Sequence, residues 1–187
     1  MFYGLDDDYC RLCKSLDGSI FHIICQCPRF AQTEYRRRHD RIARNLHWAL
    51  CKKYGFLVAK RPSEHFGART IANGKVRLLW DSQLDIVGRT SANKPDISIF
   101  EDNSITLIDV TIPGDPKVLQ KEQEKIEKYR EISEELADYW HRPVKFIPIT
   151  IGALGTVTPN YDRYFNELDD FSSIHNRICM ELRYQMS

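Results

Sequence analysis

Two acidic residues stand in what otherwise reads as a pair of buried β-strands. The segment "KPDISIFEDNSITLIDVTIPGD" (94–115) holds two β-branched apolar runs separated by an "EDNS" turn, which predicts adjacent antiparallel strands. Asp96 opens the first run, and Asp109 lies inside the second. An ionised carboxylate is costly in a buried strand unless a metal ion or another cation compensates it. The two aspartates therefore constrain both the fold and the chemistry of this chain.

The simplest use for two such carboxylates is to hold one divalent cation. Strands joined by a short turn can bring Asp96 and Asp109 within reach of one ion, and the backbone carbonyl of Val110 offers a further oxygen. Mg²⁺ prefers oxygen ligands and keeps several waters for substrate phosphates. A metal held this way activates water and stabilises charge on a phosphodiester. The alternative is that Asp109 is a structural ion-pair partner within the sheet.

The remaining periodicity predicts a mixed α/β core. Segments 33–54, 117–140 and 164–186 have helical spacing of apolar residues, segments 75–81 and 144–155 are strand-like, and 56–74 reads as irregular. A length of 187 residues suits one domain with a small appended module. No apolar run approaches the roughly 18 residues that a membrane span needs, so no membrane partner is expected.

Four metal-ligand side chains are clustered near the N-terminus. They follow the pattern Cys10-x2-Cys13-x8-His22-x4-Cys27, and thiolates and imidazoles are the ligands of structural zinc. Cys25 could replace Cys27, and His39 could replace His22; the bland alternative is a set of buried free thiols. The acidic first ten residues do not resemble a secretory signal, so a reducing, intracellular setting is expected. Four protein ligands leave no open position, so we expect this zinc to be structural.

A basic stripe follows the cysteine cluster. Residues 29–61 contain ten Lys or Arg and two acidic residues, although the whole chain carries a net charge of only +1. The residues expected to contact nucleic acid lie on the predicted helix: Arg36, Arg37, Arg38, Arg41 and Arg44. Phosphate contact would make binding steeply salt-dependent. The alternatives are a solvated helix face or contact with another part of a larger protein.

The spacing of "KPD" and "DVT" resembles the PD-(D/E)-x-K nuclease superfamily, with one departure. Thr111 stands where that superfamily usually has its lysine, but some members carry the lysine on the following helix. Here that helix offers Lys125 and Lys128, which share a face with Tyr129 because they lie at i, i+3 and i+4. The resemblance implies Lys125 as the residue that assists the attacking water, with Lys128 as the alternative.

The order of motifs narrows the resemblance further. The Cys-Cys-His-Cys knuckle, "RRRHDRI", the two aspartate motifs, "KEQEKIEKY" and "IPITIGALG" together resemble the restriction-like endonuclease domain of site-specific non-LTR retrotransposon proteins, over residues 10 to about 155. The implied fold is a restriction-endonuclease-like α/β core, a mixed central sheet flanked by helices, preceded by a small zinc knuckle and a basic helix. The implied domains are a knuckle at 1–30, a basic linker helix at 31–60 and the endonuclease at 61–187.

The same resemblance implies a function. The domain would nick double-stranded target DNA with Mg²⁺ or Mn²⁺, and the freed 3′-hydroxyl would prime reverse transcription of the element's RNA. The implied partners are target DNA, element RNA and the reverse transcriptase in the remainder of the protein, with a nuclear location. The implied catalytic residues are Asp96, Asp109, Lys125 or Lys128, and Tyr129; Asp81 is a weaker candidate for a third carboxylate. The alternative is a non-cleaving nucleic-acid-binding or structural module of the same polyprotein.

Overall fold

A computed structural model describes residues 9–31, 33–84 and 94–168, and a five-stranded mixed sheet lies at their centre. The strands follow one another in the sheet in chain order. They are β1 (Thr70–Ala72), β2 (Val76–Trp80), β3 (Ile97–Glu101), β4 (Ile105–Thr111) and β5 (Val144–Thr150). The first four pair antiparallel, and β5 pairs parallel to β4. A parallel neighbour requires a crossover connection, which here is a long helix.

Helices cover both faces of this sheet. They are α1 (Pro28–Ala31), α2 (Glu34–Lys53), α3 (Val118–Trp140) and α4 (Tyr161–Asn166), with a π-turn at His22–Gln26 and single 3₁₀ turns at Pro62–Glu64 and Asp115–Lys117. None of the described helices is both long enough and apolar enough to cross a membrane.

The alternation of side chains along β4 separates two apolar clusters. Ile108 and Val110 point into a core shared with α2 and α4, whereas Ile105 and Leu107 point towards α3. Both faces are therefore buried, which explains why β3 and β4 read as nearly continuous apolar runs. Asp109 falls on the same face as Leu107, the α3 face.

The helix α2 is part of this core. Its residues Ile42, Leu46 and Leu50 are almost fully buried against the sheet. Burying each such side chain contributes about 1.5–3 kcal/mol. The helix α2, which lies within the predicted basic linker at 31–60, thus packs on the sheet along one face.

The mixed α/β architecture predicted from periodicity is confirmed, with one strand missed. The helices over 33–54 and 117–140 and the strands over 75–81, 94–115 and 144–155 occur where they were expected. The prediction that 56–74 is irregular is wrong at β1, a short strand with largely exposed residues and so no clear apolar period. Of the helix predicted over 164–186, residues 164–166 form the end of α4, 167 and 168 form a turn, and 169–186 lie outside the described residues.

Candidate active site and metal centres

The four predicted zinc ligands converge on one point. The ligand atoms of Cys10, Cys13, His22 and Cys27 all lie within 4.8 Å of one another. The Cys10 and Cys27 Sγ atoms are 3.9 Å apart, and Cys13 Sγ lies 3.1 Å from His22 Nε2. Two sulfurs bound tetrahedrally to one zinc at about 2.3 Å stand roughly 3.8 Å apart. These four residues therefore form a candidate zinc site.

Local backbone geometry assembles this site from short loops. The Lys14 N–H donates to the Cys10 carbonyl (2.8 Å), and Lys14 is left-handed (φ 62°), so the C-x2-C segment closes as a tight turn. The Cys27 N–H donates to the His22 carbonyl (2.7 Å), an i to i+5 bond that suits the x4 spacing. Hydrogen bonds from Ser15 lower the pKa of Cys13 to about 6, which favours the thiolate that a metal needs.

The two alternative ligands lie elsewhere. Cys25 is half-buried beside Gly114 at the end of β4, and burial raises the pKa of its thiol. His39 lies on α2 against Asp96 instead of at the knuckle. Asp17 lies 4.0 Å from Nδ1 of His22, the kind of carboxylate neighbour that commonly orients a metal-binding imidazole.

Asp109 lies at the centre of a second cluster, on the α3 face of the sheet. The residue is 4% exposed. Lys125 Nζ lies 2.7 Å from Oδ2, Thr111 donates to Oδ2 (3.1 Å) and Tyr129 donates to Oδ1 (2.9 Å). Lys125 and Tyr129 reach the same carboxylate because they are one helical turn apart on α3. Burial and the adjacent Asp109 carboxylate raise the pKa of Tyr129 well above its ordinary value, so its hydroxyl stays a donor.

Asp96 lies at the same end of the sheet. Ile97 pairs with Ile108, so extending the register by one residue places Asp96 opposite Asp109. Opposed residues of antiparallel strands have Cβ atoms about 4.5–5.5 Å apart. The Val110 N–H donates to Asp96 Oδ2 (2.6 Å), which places the Asp96 carboxylate against the backbone that follows Asp109.

His39 reaches this end of the sheet from α2. Its Nε2 lies 3.2 Å from both carboxylate oxygens of Asp96, and its Nδ1 lies 3.0 Å from Asp40. Burial opposes the charged imidazolium, but the hydrogen bonds to Asp96 and Asp40 outweigh it and raise the pKa of His39 to about 9. Near neutral pH Asp96 therefore faces a charged imidazolium, while Asp109 pairs with Lys125.

Two weaker candidates from the sequence lie apart from the carboxylates. Lys128 Nζ stands 4.9 Å from the centre of the Tyr129 ring. Asp81 adjoins Asp96 through the backbone, because its N–H donates to the Asp96 carbonyl (2.8 Å), but its exposed carboxylate pairs with Lys94 at 2.6 Å. Lys125 is thus the lysine in contact with Asp109.

The predicted arginines divide by exposure. Arg36 and Arg37 are exposed, whereas Arg38, Arg41 and Arg44 are half-buried. Arg38 donates to the Ile24 carbonyl (2.8 Å) and so ties α2 to the knuckle. Arg37 makes an exposed ion pair with Glu34 at 3.6 Å, which is worth little energy and is easily exchanged for a phosphate.

Two features of the site were not predicted from the sequence. The contact of His39 with Asp96 is the first, because nothing in a helical period tells which strand end a residue will meet. A third ligand cluster, formed by His47, Cys51 and His65, was also missed. His47 and Cys51 are one helical turn apart, a spacing typical of paired metal ligands that could have indicated a site. His65 joins them only through the tertiary fold.

No model of a known protein family matches the chain, and no curated protein matches its sequence.

Proposed function

We propose that this chain is a metal-dependent DNA endonuclease. The observation that carries the proposal is the grouping of Asp109, Lys125 and Tyr129 with Asp96 at one end of the sheet. Two carboxylates opposed across a hairpin, with a lysine in contact with one of them, are the parts of a phosphodiester-hydrolysing site. The helix-flanked mixed sheet supports the proposal, because the resemblance to restriction-like endonucleases implies a core of this general kind.

Each residue of the cluster has a role in this proposal. Lys125 orients the attacking water and takes up or donates a proton at Nζ, since it already stands at hydrogen-bond distance from Asp109. Tyr129 holds Oδ1 of Asp109 and stays protonated, so it positions the carboxylate. His39 contacts Asp96 in the same way from the other face.

The donor set fits a hard cation. Asp96, Asp109 and the Val110 carbonyl offer oxygens, the ligands that Mg²⁺ and Mn²⁺ take. Such an ion would lie beside the two carboxylates. It would replace part of the positive charge that Lys125 and His39 supply there. When bound, it supplies an activated water and neutralises charge on the scissile phosphate.

We further propose the biological setting that the resemblance implies. Zinc in the knuckle keeps α1 and α2 in place, and the exposed Arg36 and Arg37 bind phosphates of double-stranded DNA. One site cuts one strand, and the 3′-hydroxyl serves target-primed reverse transcription by a non-LTR retrotransposon protein. The partners are then target DNA, the element RNA and the reverse transcriptase, in the nucleus.

Plasmid nicking tests this proposal directly. Supercoiled plasmid is incubated with the protein and Mg²⁺ or Mn²⁺, beside Asp109→Asn, which keeps the side-chain shape but removes the charge. The matched control is Asp102→Asn, an exposed aspartate in the turn at the far end of the same hairpin. We expect nicked circles from wild type and Asp102→Asn and none from Asp109→Asn; equal nicking by Asp109→Asn would refute the proposed metal site.

One observation favours a non-cleaving module instead. Lys125 and His39 already compensate both carboxylates, and Thr111 occupies the usual lysine position and bonds to Asp109. A nuclease that had lost its activity would also keep such a network, as a structural ion-pair cluster. DNA binding by wild type without nicking under either metal would favour this second function, a docking module.

A further inference from the structure

A third group of ligand atoms lies inside the core, away from both sites above. His47 and Cys51 are one turn apart on α2, and His65 follows the 3₁₀ turn Pro62–Glu64. The three side chains are buried, and their ligand atoms all lie within 4.8 Å of one another. We infer that His47, Cys51 and His65 form a second metal site, for a d¹⁰ ion that accepts sulfur and nitrogen, Zn²⁺ or Cu⁺. This inference does not rest on the proposed nuclease activity.

The distances suit such an ion. His47 Nδ1 and His65 Nε2 are 2.8 Å apart, and Cys51 Sγ lies 3.6 Å from both Nδ1 and Nε2 of His47. For bonds of about 2.0–2.1 Å to nitrogen and 2.3 Å to sulfur, tetrahedral geometry places two nitrogens roughly 3.3 Å apart and a nitrogen about 3.6 Å from a sulfur. The sulfur is at this separation from Nδ1 but is equally far from Nε2, so binding an ion requires a rotation of the Cys51 or His47 side chain, and the two imidazoles must part by about 0.5 Å.

The surroundings hold both rings in place. The Trp80 indole stacks on His47 with ring centres 4.4 Å apart and on His65 at 5.9 Å. The backbone at Gly67 packs so closely that an added Cβ would lie 2.5 Å from His47 Cε1. Side chains whose motion is already restricted lose little further conformational freedom when they bind an ion.

The protonation states also suit a metal. Burial lowers the pKa of His47 to about 4 and also lowers the pKa of His65, so both rings are neutral and offer lone pairs. Burial raises the pKa of Cys51 to about 11, so the thiol gives up its proton only when a cation replaces it. One thiolate with Cu⁺ makes a neutral, three-coordinate centre, whereas Zn²⁺ leaves one positive charge and requires a fourth ligand. Elemental analysis distinguishes the two ions.

The test counts metal ions in the purified chain. Protein expressed with added zinc and copper is measured by elemental analysis and by native mass spectrometry, beside Cys51→Ser and a control, Cys25→Ser. Cys25 is a half-buried cysteine outside both ligand groups, so the control repeats the chemical change without removing a ligand. We expect wild type and Cys25→Ser to carry one more Zn or Cu per chain than Cys51→Ser.

A second variant guards against misfolding. His65→Gln removes one ligand from the loop and should cause the same loss of one ion if Cys51→Ser does not fold, as judged by circular dichroism. The same metal content in wild type and in a folded ligand variant would overturn the site and leave a hydrogen-bonded imidazole pair. One zinc or copper per chain in wild type and in the folded ligand variant alike would do the same, since that ion would belong to the knuckle.

Discussion

Four successive residues of α2 serve three different purposes. Arg36 and Arg37 are exposed, Arg38 donates to the knuckle carbonyl of Ile24, and His39 contacts Asp96. Each step along a helix turns the side chain by about 100°, so neighbours in sequence necessarily face different surroundings. A charge count treats them as one basic stripe, whereas the structure separates a solvent-facing pair from two residues that join the knuckle and the sheet.

The contact of His39 with Asp96 predicts a pH-dependent stability. The folded-state pKa of about 9 exceeds the ordinary value of 6.5, so the contribution is complete below about pH 6.5 and is lost as pH rises through about 9. The shift corresponds to about 3 kcal/mol at most. We expect the difference in unfolding free energy between wild type and His39→Gln, measured by urea denaturation without Mg²⁺, to shrink over this window. A constant difference from pH 6 to 9.5 would contradict the pairing.

The two lysines of α3 should differ sharply in their effect on catalysis. Lys125 contacts Asp109, whereas Lys128 lies over the Tyr129 ring. If Lys125 serves in proton transfer, Lys125→Met should slow plasmid nicking by about 10²-fold or more, and Lys128→Met should change it little. DNA binding, measured by fluorescence anisotropy, should be similar in both variants because each loses one charge. The reverse ranking of nicking rates would transfer the role to Lys128.

At the scale of elements, the strong periodicities predicted most of the fold. The helices α2 and α3 and the hairpin β3–β4 have long apolar patterns, and each occurs where it was expected. The short strand β1 did not follow from sequence, because three mostly exposed residues have no period to read. The contact of Asp109 with Lys125 depended on a crossover that brings α3 back over β4, which spacing alone does not specify.

The start of α3 is held by contacts with the loop 152–156. The Asp115 carboxylate accepts hydrogen bonds from the Leu154 N–H (2.9 Å) and the Thr156 N–H (3.0 Å). A Cβ on Gly152 would lie 2.5 Å from Asp115 Oδ1 and 3.2 Å from its Cα. These contacts fix the position of α3, which carries Lys125, relative to β5.

Gly152→Ala should therefore destabilise the fold. The added methyl group must displace the Asp115 side chain and backbone, at a cost of about 1–3 kcal/mol in the free energy of unfolding. Gly74→Ala is the matched control, since a Cβ there meets nothing within 4 Å. Urea denaturation should show a lower midpoint for Gly152→Ala only. Equal midpoints for the two variants would mean that the loop shifts without cost.

On the scale of the whole molecule, two kinds of candidate metal ligand occur in different parts of the fold. Nitrogen and sulfur ligands gather at the knuckle and within the α2 core, and oxygen ligands gather at the sheet end. The knuckle ligands could be predicted because all four lie within one short segment. The cluster of His47, Cys51 and His65 could not, because its third member joins the helix only after the chain has turned back.

The proposed DNA-binding face can be tested by its salt dependence. Arg36 and Arg37 are exposed on α2, and the same helix delivers His39 to Asp96, so DNA bound there would lie near the sheet end. Each lost phosphate contact should reduce the slope of log K against log salt by about 0.9. The double variant Arg36→Ala/Arg37→Ala should therefore weaken binding and lower the slope by about 2, measured by anisotropy without Mg²⁺.

The control, Arg130→Ala, removes an exposed charge from α3 on the opposite face of the sheet and should leave the slope nearly unchanged. If Arg130→Ala lowered the slope and the double variant did not, DNA would bind on the α3 face and the basic residues of α2 would be a solvated surface.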